Sequence, residues 1–179
     1  MNPLSSPLLT DLYELTMLQA YFERGMTDTA VFELFVRKLP PKRDFLVAAG
    51  LEQALDFVEG LRFRDEELDW IGDCGLFRPS FVEHLRNLRF TGDIHAMPEG
   101  TVLFPNEPLL RVTAPLPEAQ LLETRVLNLI HFQTVIASKA ARSRLAAAAK
   151  GLIDFGLRLA HGAEAGLLAA RSSYLAGFD

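Results

Sequence analysis

The stretch "LIDFGLRLAHG", Leu152 to Gly162, delivers Asp154, Phe155, Gly156 and Arg158 in quick succession at the end of a short apolar run. A phenyl ring can stack on a planar ligand, a glycine lets backbone approach closely, and a guanidinium offers a two-pronged clamp for a carboxylate or phosphate. If the run is a parallel strand, these residues stand at its carboxyl end, where β/α folds gather their ligands. Equally, Phe155 could fill a core and Arg158 could be a solvated charge at a helix start; the residues alone leave both open.

A second stretch, "LLTDLYELT", sets Thr10, Asp11 and Tyr13 at the start of a helical pattern. Helix N-termini favour anions, yet Thr10 and Asp11 are also ordinary caps and Tyr13 an ordinary amphipathic residue. Arg37 and Lys38 follow a strand-like run. They could hold a phosphate or simply be solvated.

Other chemistries lack their signatures. The sequence has no phosphate loop of the G-x-x-x-x-G-K-[ST] or G-x-G-x-x-G kind, no G-x-S-x-G elbow and no H-E-x-x-H. His84, His95, His131 and His161 stand singly, so spacing gives no metal site and each reads as a surface or hydrogen-bonded residue. The one cysteine, Cys74, excludes an intrachain disulfide and fits a reducing, cytoplasmic compartment. A net charge of −5 argues against a broad basic face for nucleic acid. No leader pattern and no apolar run of about 18 residues suggests export or a membrane span.

The positioning elements follow from periodicity. Leu12, Leu15, Leu18 and Phe22 recur at helical spacing up to Gly25, and "TAVFELFVRKLPP" reads as a largely buried strand ended by Pro40 and Pro41. "GLEQALDFVEGL", "RDEELDWIGDCG" and "RPSFVEHLRNLRF" read as helices, the last with Ser80 and Glu83 at capping-box spacing. From Gly92 to Thr113 the "PEG" and "PNEP" turns divide two or three antiparallel strands. Pro117 to Lys150 has helical spacing at Leu121, Leu122, Val126, Leu129 and Ile130, as one helix or two end to end. "GLIDFG" then reads as a strand and "GAEAGLLAARSSYLAG" as a helix. The expected division is an α+β domain over 1–116, a connecting helix over 117–149 and the start of a β/α domain over 150–179. A single β/α unit cannot cover Leu152, Ile153 and Phe155, so another chain or further residues must.

In order and spacing, "LLTDLYELTM", "FELFVRKLP", "FLVAAGLEQAL", "MPEGTVLFPNEPLLRV", "AQLLETRVLNLIHFQT" and "DFGLRLAHG" closely resemble the nicotinate phosphoribosyltransferase family, over essentially all of Leu8 to Asp179. The resemblance implies a type II phosphoribosyltransferase-like fold, an α+β domain leading by a long helix into an irregular β/α barrel, of which only the first unit is present in a truncated chain. It implies an enzyme of NAD salvage that joins nicotinate to phosphoribosyl pyrophosphate, with ATP hydrolysis and Mg2+, as a cytoplasmic homodimer with a shared active site. By resemblance Phe155 stacks on one face of the pyridine ring, Tyr13 reaches across from the neighbouring subunit to the other face, and Arg158 lies by the ring's carboxylate or the nucleotide phosphate. Arg37 is similar to a basic residue near the phosphates. Where the family often has a second arginine after Arg158, this sequence has Leu159. The family's phosphorylated histidine is expected beyond Asp179, so none of the four histidines takes that role and the chain alone is expected to be inactive. Two alternatives stand beside this reading: a nicotinamide phosphoribosyltransferase, or a truncated non-enzymatic homologue that forms dimers or binds a partner.

Overall fold

The structure is a computed structural model and describes residues 5–39 and 41–179. Helix α1 (Leu12–Arg24) leads to strand β1 (Thr29–Phe35) and the two-residue strand β2 (Leu46–Val47). Helices α2 (Leu51–Glu59), α3 (Asp65–Asp73) and α4 (Pro79–Asn87) follow, then strands β3 (Asp93–Ala96), β4 (Val102–Leu103) and β5 (Pro108–Pro115). The chain closes with helix α5 (Leu116–Ala147), a 3-10 turn over Leu157–Leu159 and helix α6 (Ala163–Leu175). Strand β5 lies between β1 and β3, while β2 pairs antiparallel with β4, Leu46 opposite Leu103 and Val47 opposite Val102.

Two compact units share these elements. One takes Met1–Glu33, Ala54–His95 and Arg111–Leu127; the other takes Leu34–Gln53, Ala96–Leu110 and Asn128–Asp179. In the first, Leu15 and Leu18 of α1, Leu68 and Ile71 of α3, and Phe81 and Leu85 of α4 are buried, each set at the three- or four-residue spacing of one helix face. Phe81 has the rings of Phe22 and Phe77 at 6.0 and 5.7 Å, in tilted geometries that aromatic pairs favour. His84 stacks on Phe22 at 4.5 Å. Gly25 ends α1 in the left-handed conformation at φ 62°, giving its N–H to Phe22 O.

In the second unit, strand β2 is too short to satisfy its own backbone, and α5 completes it. Val47 N–H donates to Ser138 Oγ at 2.8 Å, and Ala49 N–H to Thr134 Oγ1 at 3.2 Å, while that hydroxyl donates to Ala49 O at 3.1 Å. Both hydroxyl residues are buried, so the helix spends polar side chains where a strand neighbour would have supplied carbonyls. Val47, Ala49 and Ala137 pack there with Phe45, Ala141 and Leu175. Gly50 sits at φ 100°, and a Cβ on it would lie 2.7 Å from Leu129 O and 3.0 Å from Ile130 Cα, so only glycine lets this backbone meet α5.

Several expectations change. The strand expected in "GLIDFG" is absent: no ladder forms over 151–156 because no neighbouring strand offers one, and Ile153 and Phe155 stand 71% and 79% exposed. Strand β1 is not largely buried; it alternates, with Val31 60% and Phe35 42% exposed on one face. Pro40, expected to help end it, lies outside the described residues. Ser80 does not cap α4, because Pro79 takes the first helical position and Arg78 the cap. The reciprocal cap forms instead at α3, where the Glu67 carboxylate accepts the Arg64 N–H at 2.8 Å. Three strands do form between 92 and 115, but they divide between two sheets, β4 pairing with β2 while β3 lies beside β5. The long helix is one continuous element of 32 residues.

Candidate functional site

The turn at 154–159 is shaped by its own residues and clamped by α6. Asp154 Oδ1 accepts the Gly156 N–H at 2.8 Å, and the Leu159 N–H closes the 3-10 turn on Gly156 O at 2.9 Å. From α6, Ser173 Oγ reaches Asp154 Oδ2 at 3.4 Å, and Leu157 lies over Gly166, where a Cβ would stand 2.4 Å from Leu157 Cδ1. Leu152 and Asp179 exchange two bonds, Asp179 N–H to Leu152 O at 2.8 Å and Leu152 N–H to Asp179 Oδ2 at 3.2 Å. The result is a fixed turn that holds Phe155 and Arg158 out into solvent. Among the described residues no ion pair is found at Arg158.

Helix α6 is in turn tied down by Arg171. Its Nη1 donates to Glu99 Oε1 at 2.9 Å and to Gln133 Oε1 at 3.3 Å, its Nη2 to Glu99 Oε2 at 2.7 Å, and it also pairs with Glu52. Glu99 Oε1 further accepts the N–H groups of Gly50 and Leu51 at 2.6 and 3.1 Å, at the start of α2. Burial pushes the Glu99 carboxyl up, but the Arg171 pair and the two backbone donors outweigh it and hold the group below the usual carboxylate range. The same bonds raise Arg171. No motif singled out this network; its only sequence signal is the one basic residue on helix α6 and a lone Glu in a "PEG" turn.

Tyr13 stands 49% exposed on the first turn of α1. Asp11 occupies the cap position without a side-chain bond to the helix, and Thr10 Oγ1 is buried without a partner among the described residues. Next to Tyr13, Glu14 is fully buried and accepts bonds from Gln120 Nε2 and Thr124 Oγ1, both at 3.1 Å. Its pKa is raised, first by burial, against the lowering effect of those donors, and its charge is the chief cause of the raised Tyr13 phenol.

Arg37 is exposed one residue beyond Val36, whose carbonyl accepts the Asn106 N–H at 2.8 Å, and Lys38 beside it is also exposed. Tyr13 belongs to the first unit; Arg37, Phe155 and Arg158 belong to the second. The structure thus joins Phe155 and Arg158 on one turn and gives Tyr13 and Arg37 separate supports. All four histidines are exposed. Among the described residues no three His, Cys, Asp or Glu side chains gather in a group that could hold a metal ion. No described helix is long and apolar enough to cross a membrane.

Residues 8–131 match the family model for the N-terminal domain of nicotinate phosphoribosyltransferase. A nicotinate phosphoribosyltransferase of Mycobacterium tuberculosis is 54% identical over 170 residues, covering 95% of this chain and 37% of that relative. The Homo sapiens nicotinate phosphoribosyltransferase is 43% identical over 178 residues, covering 97% of this chain and 33% of its own length. The crystal structure of human nicotinic acid phosphoribosyltransferase superimposes with a TM-score of 0.87 at 42% identity, over 96% of this chain and 35% of that one. The chain therefore spans about a third of the length of these relatives. With a domain match over more than half its residues and high identity along nearly all of them, the chain belongs to the nicotinate phosphoribosyltransferase family.

Proposed function

We propose that the chain is the N-terminal portion of an enzyme that joins nicotinate to the ribose of phosphoribosyl pyrophosphate, giving nicotinate mononucleotide and pyrophosphate in NAD salvage. One observation carries this reading: in a member of this family, a turn fixed by α6 presents an exposed aromatic, Phe155, and an unpaired exposed guanidinium, Arg158, three residues apart. Phe155 stacks on one face of the pyridine ring, and Arg158 holds its carboxylate or the phosphate of the nucleotide. Tyr13 of a neighbouring copy covers the other face, and Arg37 contributes positive charge near the phosphates. The working form is a homodimer in the cytoplasm. Residues 1–116 supply the α+β domain, 117–149 the connecting helix and 150–179 the entry to the barrel.

Transfer at the anomeric carbon builds positive charge on the sugar, so the nucleophilic ring nitrogen has to be held in line while pyrophosphate departs. A flat ring gripped on both faces and at its carboxylate has lost most of its orientational freedom before reaction, which is the contribution these residues make. ATP hydrolysis, with Mg2+ on the phosphate oxygens, would supply driving force and charge neutralisation in the full-length enzyme; no described residue is assigned to either.

The test is product formation by the full-length enzyme from phosphoribosyl pyrophosphate and either nicotinate or nicotinamide. We expect nicotinate to be used with kcat/KM at least about 100-fold higher, because a guanidinium opposite a carboxylate discriminates against the uncharged amide. Preference for nicotinamide would move the enzyme to the other branch, and no turnover of either would favour a non-enzymatic role.

A further inference from the structure

Glu14 is a carboxyl with no exposed surface at the start of α1, a place where an apolar side chain would cost nothing in desolvation. Its two oxygens are claimed separately by α5, Oε2 by Gln120 Nε2 and Oε1 by Thr124 Oγ1. Gln120 is itself buried and also reaches Glu123 Oε2 at 3.2 Å, so its amide is held from both sides. Leu15 and Leu18 bury the same helix in the core, but apolar contacts tolerate a helix turning about its axis, whereas two directed hydrogen bonds from two residues one turn apart do not. Tyr13 precedes Glu14 by one position, about 100° around the helix, and so stands at the rim when Glu14 points inward.

We propose that Glu14 is the positioning residue for Tyr13: its buried carboxyl, bonded to Gln120 and Thr124, locks the rotation of the first turn of α1 and so fixes where the tyrosine ring points. The proposal rests on the reading that Tyr13 covers the pyridine ring. Burial favours the neutral form of Glu14, so a neutral side chain of the same shape should serve.

The experiment measures KM for nicotinate, kcat and melting temperature in the full-length enzyme for Tyr13→Ala, Glu14→Ala, the double variant and Glu14→Gln. Glu14→Ala is expected to raise KM by roughly tenfold, Tyr13→Ala by as much or more, and the double variant no further than Tyr13→Ala, while Glu14→Gln stays within about twofold of the parent. If Glu14→Ala does not fold, Thr124→Val removes one of the same bonds from the other side and should raise KM in the same direction. A folded Glu14→Ala or Thr124→Val with lowered melting temperature and unchanged KM overturns the proposal, as do multiplicative effects in the double variant or failure of Glu14→Gln to restore KM. Unchanged KM in Tyr13→Ala would instead remove the reading of Tyr13 on which the proposal rests. A raised KM in Tyr13→Ala alone refutes the role of Glu14 and leaves that reading intact.

Discussion

A half-buried carboxyl, Glu99, and a fully buried one, Glu14, place opposite demands on pH. Glu99 is held below the usual range by Arg171 and two backbone donors against the pull of burial, so the folded state binds its proton less tightly than the unfolded chain. Its contribution is present above the unfolded value of about 4.3 and is lost as pH falls through the lower folded value. Glu14 is raised by burial, so its contribution is present below the unfolded value and is lost as pH rises through the folded one. Denaturant unfolding of the parent and Glu99→Gln should therefore show a stability difference that shrinks as pH falls from about 6 to about 3. A difference that stays constant over that range would mean that the Glu99 charge does not stabilise the fold. At this scale the sequence marks Phe155 and Arg158 as side chains able to stack on a ring and to clamp an anion, and the structure finds both exposed on one turn. It was silent on Glu14 and Glu99, because a carboxyl drawn into the protein and a solvated one are the same letter until the partners are known.

Elements were legible where periodicity is long. The 32 residues of α5 and the 13 of α1 repeat their apolar positions often enough to show the element type, but the repeat left open whether α5 is one helix or two. Strand β2 has two residues and no pattern to read, and it exists because Ser138 and Thr134 of α5 satisfy its backbone on the side away from β4. The expected strand at 151–156 shows the converse, an apolar run that fits a strand by composition yet forms none without a ladder partner. Close approach of α5 to the backbone at Gly50 should be demanding, since φ is positive and the two nearest atoms a Cβ would meet are backbone. Gly50→Ala is expected to lower stability by about 3 kcal/mol, read by denaturant unfolding. A loss under about 0.5 kcal/mol would show that the helix can move aside.

For the whole molecule, composition and charge excluded classes, and only the ordered set of long motifs pointed to one family, which the domain match and the relatives then bear out. Neither periodicity nor charge distinguishes a substrate seat from any other exposed turn. Ile153, Phe155, Leu157 and Leu159 form an exposed apolar run on the same segment as Arg158, more surface than an isolated soluble turn usually leaves open. In the arrangement proposed above, that segment meets the rest of the barrel, and Tyr13 arrives from a second copy. In that arrangement one nicotinate seat is built from Arg158 of one subunit and Tyr13 of the other. Its most direct test is to co-express full-length Tyr13→Ala and Arg158→Ala subunits and assay nicotinate mononucleotide synthesis by the mixed dimers at nicotinate well below the parental KM, where a KM raised tenfold leaves a variant alone at roughly a tenth of parental activity. Random pairing leaves one intact seat in each heterodimer, so the account predicts recovery toward about a quarter of parental activity. Activity no higher than the average of the two variants alone, in preparations shown to contain heterodimers, would contradict it.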